Sequence, residues 1–153
     1  MRPQPQIVSV SVPVEVLAHF DGLSLPAHQT EHASGVDLSA AEEIFLAAGE
    51  RRLVSTGIKV AIPVGYEGQI RPRSGMALKS GVIIPNSPGT IDADYRGEIK
   101  VILWNLSNTD YPINKGDRIA QMVLVPVVQI NWQPVASLDD TARGAGGFGH
   151  TGS

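Results

Sequence analysis

The sequence predicts an all-β protein built from short strands joined by tight turns, and three observations carry that prediction. Glycine and proline are plentiful, at 16 and 11 of 153 residues. Apolar and polar residues alternate over short stretches, and helical periodicity is confined to one brief segment. The length suits one domain that buries roughly two-thirds of the surface its unfolded chain exposes.

Charge and composition narrow the function classes. The formal net charge of −3 argues against a general nucleic-acid binder, which carries a basic stripe. Arginines cluster near predicted turns, at Arg71, Arg73, Arg96, Arg118 and Arg143, which leaves a local anion site open. The absence of cysteine excludes disulfides, thiolate metal sites and thiol chemistry. No apolar run approaches the roughly eighteen residues of a membrane helix. The N-terminus leads into alternating Val and Ser rather than a signal-peptide core, so a cytoplasmic protein is expected.

The elements follow in order. Residues 7–16 alternate and read as a strand, with Pro13 placing it at an edge or bend. Residues 19–32 form a loop-like stretch that holds three of the four histidines, read as solvated loop side chains rather than a metal set. Asp37 opens a short strand. Residues 50–62 supply another, with Leu53, Ile58, Val60 and Ile62 as inward candidates. Residues 63–68 turn the chain, and Gln69 to Arg71 make a short strand running into Pro72. Residues 73–81 are the one predicted helix, with Ser74 as N-cap and Gly81 as a left-handed terminator. A helix start beside an arginine suits an anion as well as it suits an ordinary cap. Residues 82–85 form an apolar strand, residues 86–89 a turn.

The stretch Gly89-Thr-Ile-Asp-Ala-Asp-Tyr-Arg-Gly-Glu-Ile-Lys-Val-Ile-Leu-Trp-Asn105 organises the chain. Turn formers at 93–97 lie between two apolar runs, which predicts a hairpin with a five-residue connection. Asp92 and Asp94 stand at its mouth, and on an extended segment positions i and i+2 share a face, so both acids are expected in one cleft. A carboxylate there can act as a general base or hold a hydrated cation, and it can equally cap a turn. On the return strand Ile99, Val101 and Leu103 fill one face while Ile102 and Trp104 make the other apolar, as in a sandwich or a subunit interface. Residues 114–117 turn into a nearly continuous apolar strand over 118–128. Gln121 interrupts it and needs partners for its amide, either across an interface or on a phosphate. The glycine-rich end, from Arg143 to Ser153, cannot pack a core and is expected to be mobile. Its glycines would let backbone amides approach a phosphate, although no Walker A lysine follows them.

Five blocks, in order and spanning nearly the whole chain, resemble the five motifs of the trimeric dUTP pyrophosphatases. They are Ala33-Ser-Gly-Val-Asp-Leu, Pro72-Arg-Ser-Gly-Met-Ala, Gly89-Thr-Ile-Asp-Ala-Asp-Tyr-Arg-Gly-Glu, Gly116-Asp-Arg-Ile-Ala-Gln-Met and Arg143-Gly-Ala-Gly-Gly-Phe-Gly. The resemblance implies a jelly-roll-like β-barrel or sandwich, a homotrimer with sites shared between subunits, and Mg²⁺-dependent hydrolysis of dUTP to dUMP and pyrophosphate. That reaction would limit uracil incorporation into DNA and supply dUMP for dTMP synthesis. It implies a β domain over residues 1–138 and a closing arm over 139–153.

Residue by residue, the resemblance makes Asp92 the base that activates water for attack on the α-phosphorus, and Asp37 the acid that holds a water on Mg²⁺. Arg73, Ser74, Gly75 and Gln121 match phosphate ligands. Asn86, Thr90, Ile91 and Lys100 match positions that frame uracil, and Tyr95 resembles a ring that packs on deoxyribose and excludes a 2′-hydroxyl. Phe148, beside Gly149, would stack on uracil, and Arg143 would reach the γ-phosphate. The related dCTP deaminases share the fold but lack a tail of this kind, and the Asp92-Ala-Asp94-Tyr95 block argues for the pyrophosphatase.

Overall fold

The computed structural model describes residues 7–148. Among them eleven strands and one α-helix run in the order β1 (Val14–Val16), β2 (Val36–Ser39), β3 (Ile44–Leu46), β4 (Arg51–Ser55), β5 (Ile58–Val60), β6 (Tyr66–Arg71), α1 (Ser74–Ser80), β7 (Val82–Ile83), β8 (Gly89–Ile91), β9 (Lys100–Asn105), β10 (Tyr111–Ile113) and β11 (Arg118–Pro126). A four-stranded sheet has the order β2-β11-β6-β8 and a three-stranded sheet the order β4-β9-β7; the pairs β1-β5 and β10-β3 complete the fold. All described pairings are antiparallel. Inward residues from both larger sheets, such as Ile70 and Ile119 against Val54 and Leu103, share one hydrophobic cluster with Leu38, Leu46 and Ile113. The arrangement is the expected jelly-roll-like sandwich, closed by side chains meeting face to face.

Four local expectations are corrected. First, the alternating segment 7–16 is a strand only over Val14–Val16, paired with β5. Upstream of it, Ile7 and Val8 are exposed; alternation without a partner strand leaves the backbone unpaired.

Second, the stretch 50–62 is two strands, β4 and β5, broken at Gly57 with φ +73°. Leu53 does not point inward: it is exposed, and Val54 is buried in its place. Faces alternate within β4, so Leu53 and Val54 point opposite ways, and the chain passes at Gly57 to β5, which pairs in another sheet.

Third, Ser74 is not the N-cap. Arg73 takes that position with an extended backbone, and its carbonyl accepts the amides of Met76 and Ala77 at 3.1 and 3.0 Å. Gly81 ends the helix at φ +66°, as expected.

Fourth, the predicted hairpin is not a paired hairpin. β8 pairs with β6, whereas β9 pairs with β4 and β7. The connection between them crosses from one sheet to the other, and the Ile99 amide donates to Ile58 at 2.9 Å as the chain enters the second sheet. Two apolar runs around a turn announce two strands but not which neighbours they choose.

Among the described residues beyond Pro126 there is no further strand, and Val128, Ile130, Trp132 and Leu138 lie exposed along residues 127–148.

Candidate active site

The crossing connection makes the first cleft. It lies between the β6–β8 edge of one sheet and the β4–β9 surface of the other, with a volume of about 580 Å³. Leu53 and Ile102, opposite each other in the β4–β9 register, form an apolar wall with Ile70 and Ile84. Asn86, Thr90, Ile91, Asp92, Tyr95, Glu98 and Lys100 supply the polar rim and the backbone groups. Six sequence-predicted residues (Asn86, Thr90, Ile91, Asp92, Tyr95 and Lys100) therefore meet in one place.

The turn that carries them is held by its own hydrogen bonds. The Tyr95 amide donates to the Asp92 carbonyl at 3.1 Å. The Arg96 guanidinium donates to the carbonyls of Ala93 and Tyr95 at 2.7 and 2.9 Å. The Tyr95 phenol donates to the Glu98 carbonyl at 2.9 Å, and its ring lies so close over Gly97 that a Cβ there would collide with it. Asp94 does not join Asp92 in the cleft. The i, i+2 rule holds for extended chain, and the chain turns at Ala93 and Asp94.

Glu98 was not singled out from the sequence, although it ends the third motif block. Its side chain is only 12% exposed. One carboxylate oxygen accepts the Gly57 amide at 2.8 Å and lies 2.6 Å from Nε2 of His19; the other is 3.6 Å from Nζ of Lys100. Burial by itself would raise its pKa, but the His19 hydrogen bond, the Gly57 amide and the neighbouring His19 and Lys100 charges together hold it below the ordinary value. His19 stays solvent-exposed as expected, its side chain 43% exposed, but it is also tied to Glu98.

A second, polar pocket of about 520 Å³ is lined by Asp37, Arg73, Arg118 and Gln121 with residues of the 29–35 loop. Asp37 faces Gln121 across the β2–β11 ladder. Its two carboxylate oxygens lie 3.3 Å from Nε of Arg73 and 3.0 Å from Nη1 of Arg118. Arg73 also donates to the Arg118 carbonyl at 3.1 Å, and the Gln121 amide donates to the Pro72 carbonyl at 3.0 Å. Arg118, one of the clustered arginines and part of the fourth block, was given no role of its own from the sequence. Ser74 and Gly75 follow at the exposed helix start, which has no side-chain cap.

The two cavities share no lining residue. β2 and β8 are three strand spacings apart in the sheet, or about 14 Å. Among the described residues no group of three or more His, Cys, Asp or Glu is placed to hold a metal. One carboxylate beside two arginines is no cage for a divalent ion. It does fit a cation that keeps its waters and rides on phosphates, as Mg²⁺ prefers.

Arg143 and Phe148 line neither cavity. Arg143 donates from Nε to the Gly146 carbonyl at 2.8 Å, and Phe148 is fully exposed. Gly149 lies outside the described residues.

A family model for dUTPase matches residues 21–152. The chain belongs to the dUTPase family. Among relatives, it is 49% identical over 149 residues to the deoxyuridine 5'-triphosphate nucleotidohydrolase of Maricaulis maris, covering 95% of this chain and 98% of that one. The same-named protein of Rickettsia felis is 55% identical over 143 residues, covering 92% and 96%. Among solved structures, a mutant dUTPase of Staphylococcus bacteriophage 80alpha with dUpNHpp superposes with a TM-score of 0.86 at 26% identity, covering 95% of this chain and all of that one. A mutant dUTPase from phage phi11 of S. aureus, described with a structural Mg(II) ion, gives 0.78 at 25% identity, covering 86% of this chain and 100% of that one. Membership of the dUTPase family makes this protein an enzyme, and both cavities lie within the matched span.

Proposed function

We propose that the protein hydrolyses dUTP to dUMP and pyrophosphate at sites shared between the protomers of a homotrimer. The observation that carries the reading is the division of the matched residues between two cavities of one chain. The Asp92 cleft has an apolar floor and a rim sized for a base and sugar, and the Asp37 pocket has the arginines for a polyphosphate. A protomer whose Asp92 cleft faced another protomer's Arg73–Gln121 pocket would complete the site. The exposed Val128, Ile130 and Trp132 support such an assembly, because that much apolar surface favours burial against another chain.

Within this reading Asn86, Thr90, Ile91 and Lys100 frame uracil, largely through backbone groups. The Tyr95 ring lies against deoxyribose and excludes a 2′-hydroxyl. Arg73, Ser74, Gly75 and Gln121 bind the phosphates by charge and amide hydrogen bonds. Asp92, ionised and about 3 Å from a water, takes its proton as it attacks the α-phosphorus, and pyrophosphate leaves. Mg²⁺ bound to the triphosphate neutralises its charge, and Asp37 holds one of the metal's waters. Residues 1–138 form the β domain. The arm over 139–153 closes over the site, with Arg143 reaching the γ-phosphate and Phe148, next to Gly149, stacking on uracil. Closure excludes water and adds charge where the transition state needs it. The product serves dTMP synthesis, and removal of dUTP limits uracil in DNA. A cytoplasmic location is part of the same proposal.

The test is pyrophosphate release with Mg²⁺ across dUTP, UTP, dTTP and dCTP. Turnover confined to dUTP is expected. Equal turnover of UTP and dUTP, or conversion of dCTP to dUTP with release of ammonia, would overturn the reading.

A further inference from the structure

His19 lies outside the cleft and in none of the five blocks, yet it is tied to the cleft through Glu98. It sits on a short 3-10 turn, Ala18–Phe20. That turn is anchored to the β4–β5 break, where the Leu17 amide donates to the Gly57 carbonyl at 2.8 Å. Phe20 packs against the core and presses on Gly57, where a Cβ would come 3.0 Å from that of Phe20. The crowding and the positive φ together keep Gly57 a glycine. The imidazole is therefore presented from a fixed point, with Nε2 2.6 Å from the Glu98 carboxylate.

Glu98 passes this constraint on in two directions. Its main-chain carbonyl accepts the Tyr95 phenol at 2.9 Å, and its second carboxylate oxygen faces the Lys100 ammonium at 3.6 Å. The groups that hold this largely buried carboxylate come from three places: His19 on the N-terminal turn, the Gly57 amide between β4 and β5, and Lys100 on β9. Without His19 this carboxylate would keep only the Gly57 amide and the Lys100 ammonium, and leaving a buried carboxylate short of a donor is costly.

We propose that His19 is a positioning residue for the deoxyuridine cleft, fixing Glu98 and through it the Tyr95 ring and the Lys100 ammonium. The inference rests on the functional reading above and adds a residue to it. Asp92 is not part of this relay, so His19 governs substrate binding and sugar selection and leaves the attack by water alone.

The experiment compares steady-state kinetics of full-length wild type, His19→Ala and His19→Gln on dUTP and UTP, with thermal midpoints taken alongside. In His19→Ala the KM for dUTP should rise about 5- to 20-fold while kcat stays within about twofold. The preference for dUTP over UTP should narrow by a similar factor. His19→Gln, whose amide donor reaches nearly as far as Nε2, should recover most of both. Unchanged KM and preference in His19→Ala, a fall in kcat alone, or a His19→Gln variant no better than His19→Ala would each overturn the proposal. Should His19→Ala fail to fold, His19→Asn against His19→Gln decides. The shorter amide must show the KM defect that the longer one lacks, and equal values overturn the proposal. A wild-type protein inactive on dUTP would overturn the functional reading and this inference with it, whereas an active wild type with indifferent variants overturns this inference alone.

Discussion

In the Asp92 cleft the polar groups are occupied in building the walls, while in the Asp37 pocket they are occupied with one another. Tyr95, Arg96 and Glu98 spend their hydrogen bonds on the backbone of their own turn and on β4–β5. Arg73 and Arg118 instead share the carboxylate of Asp37. The first arrangement fixes a shape before a ligand arrives, which suits recognition of a base and sugar by fit. The second holds cations ready without locking them. The arginine side chains are 31% and 47% exposed while that of Asp37 is 15% exposed, so the cations face water more than the carboxylate does. A triphosphate could approach both cations from the solvent side. Selectivity would reside in the cleft and affinity for charge in the pocket.

Removing the reacting group of the cleft should have the largest effect. Asp92→Asn keeps the shape and removes the proposed base, so kcat should fall about 10²- to 10⁴-fold with nucleotide binding nearly unchanged. Single-turnover rates and calorimetric binding separate the two, and wild-type turnover would show that the base lies elsewhere. A smaller effect sharpens the contrast between fixed wall and loose pocket. The pKa of Glu98 in the folded protein lies below its ordinary value of 4.5. Its ionised form therefore adds stability that is present above that value and is lost as pH falls through the lower folded one. The melting temperature of wild type should exceed that of Glu98→Gln at pH 5, and the gap should close as the pH drops below 4.5. A gap that stays constant into stronger acid would mean that the carboxylate's charge does not hold the wall.

Much of this was legible in the chain because strands, turns and helix ends are written locally. Gly81 announced the helix end, and Ile99, Val101 and Leu103 announced the buried face of β9, all of which the structure bears out. What was not legible is long-range. Nothing in the residues around 93–97 says that β8 chooses β6 and β9 chooses β4, and that choice turns an expected hairpin into the roof of a cleft. The same limit hid His19, which acts on Glu98 across 79 positions of sequence. The Leu53 misreading came from carrying one alternation across Gly57, where the chain leaves one sheet for another. The motif blocks named the candidate site residues but not their grouping. Only the sheet order shows Asp37 and Gln121 as neighbours, with Asp92 beyond the far edge strand.

The central claim is that a working site joins the cleft of one protomer to the pocket of another. Asp92→Asn and Arg73→Ala proteins, each expected to be inactive alone, should be mixed in equal amounts, unfolded and refolded together, and assayed on dUTP with the mixed assemblies of the proposed trimer confirmed by native mass spectrometry. Random assembly leaves about one quarter of the sites with an intact Asp92 facing an intact Arg73 from a neighbour, so about a quarter of wild-type activity should return. Confirmed mixed trimers with no recovered activity would place both groups in a site within one chain and contradict the account.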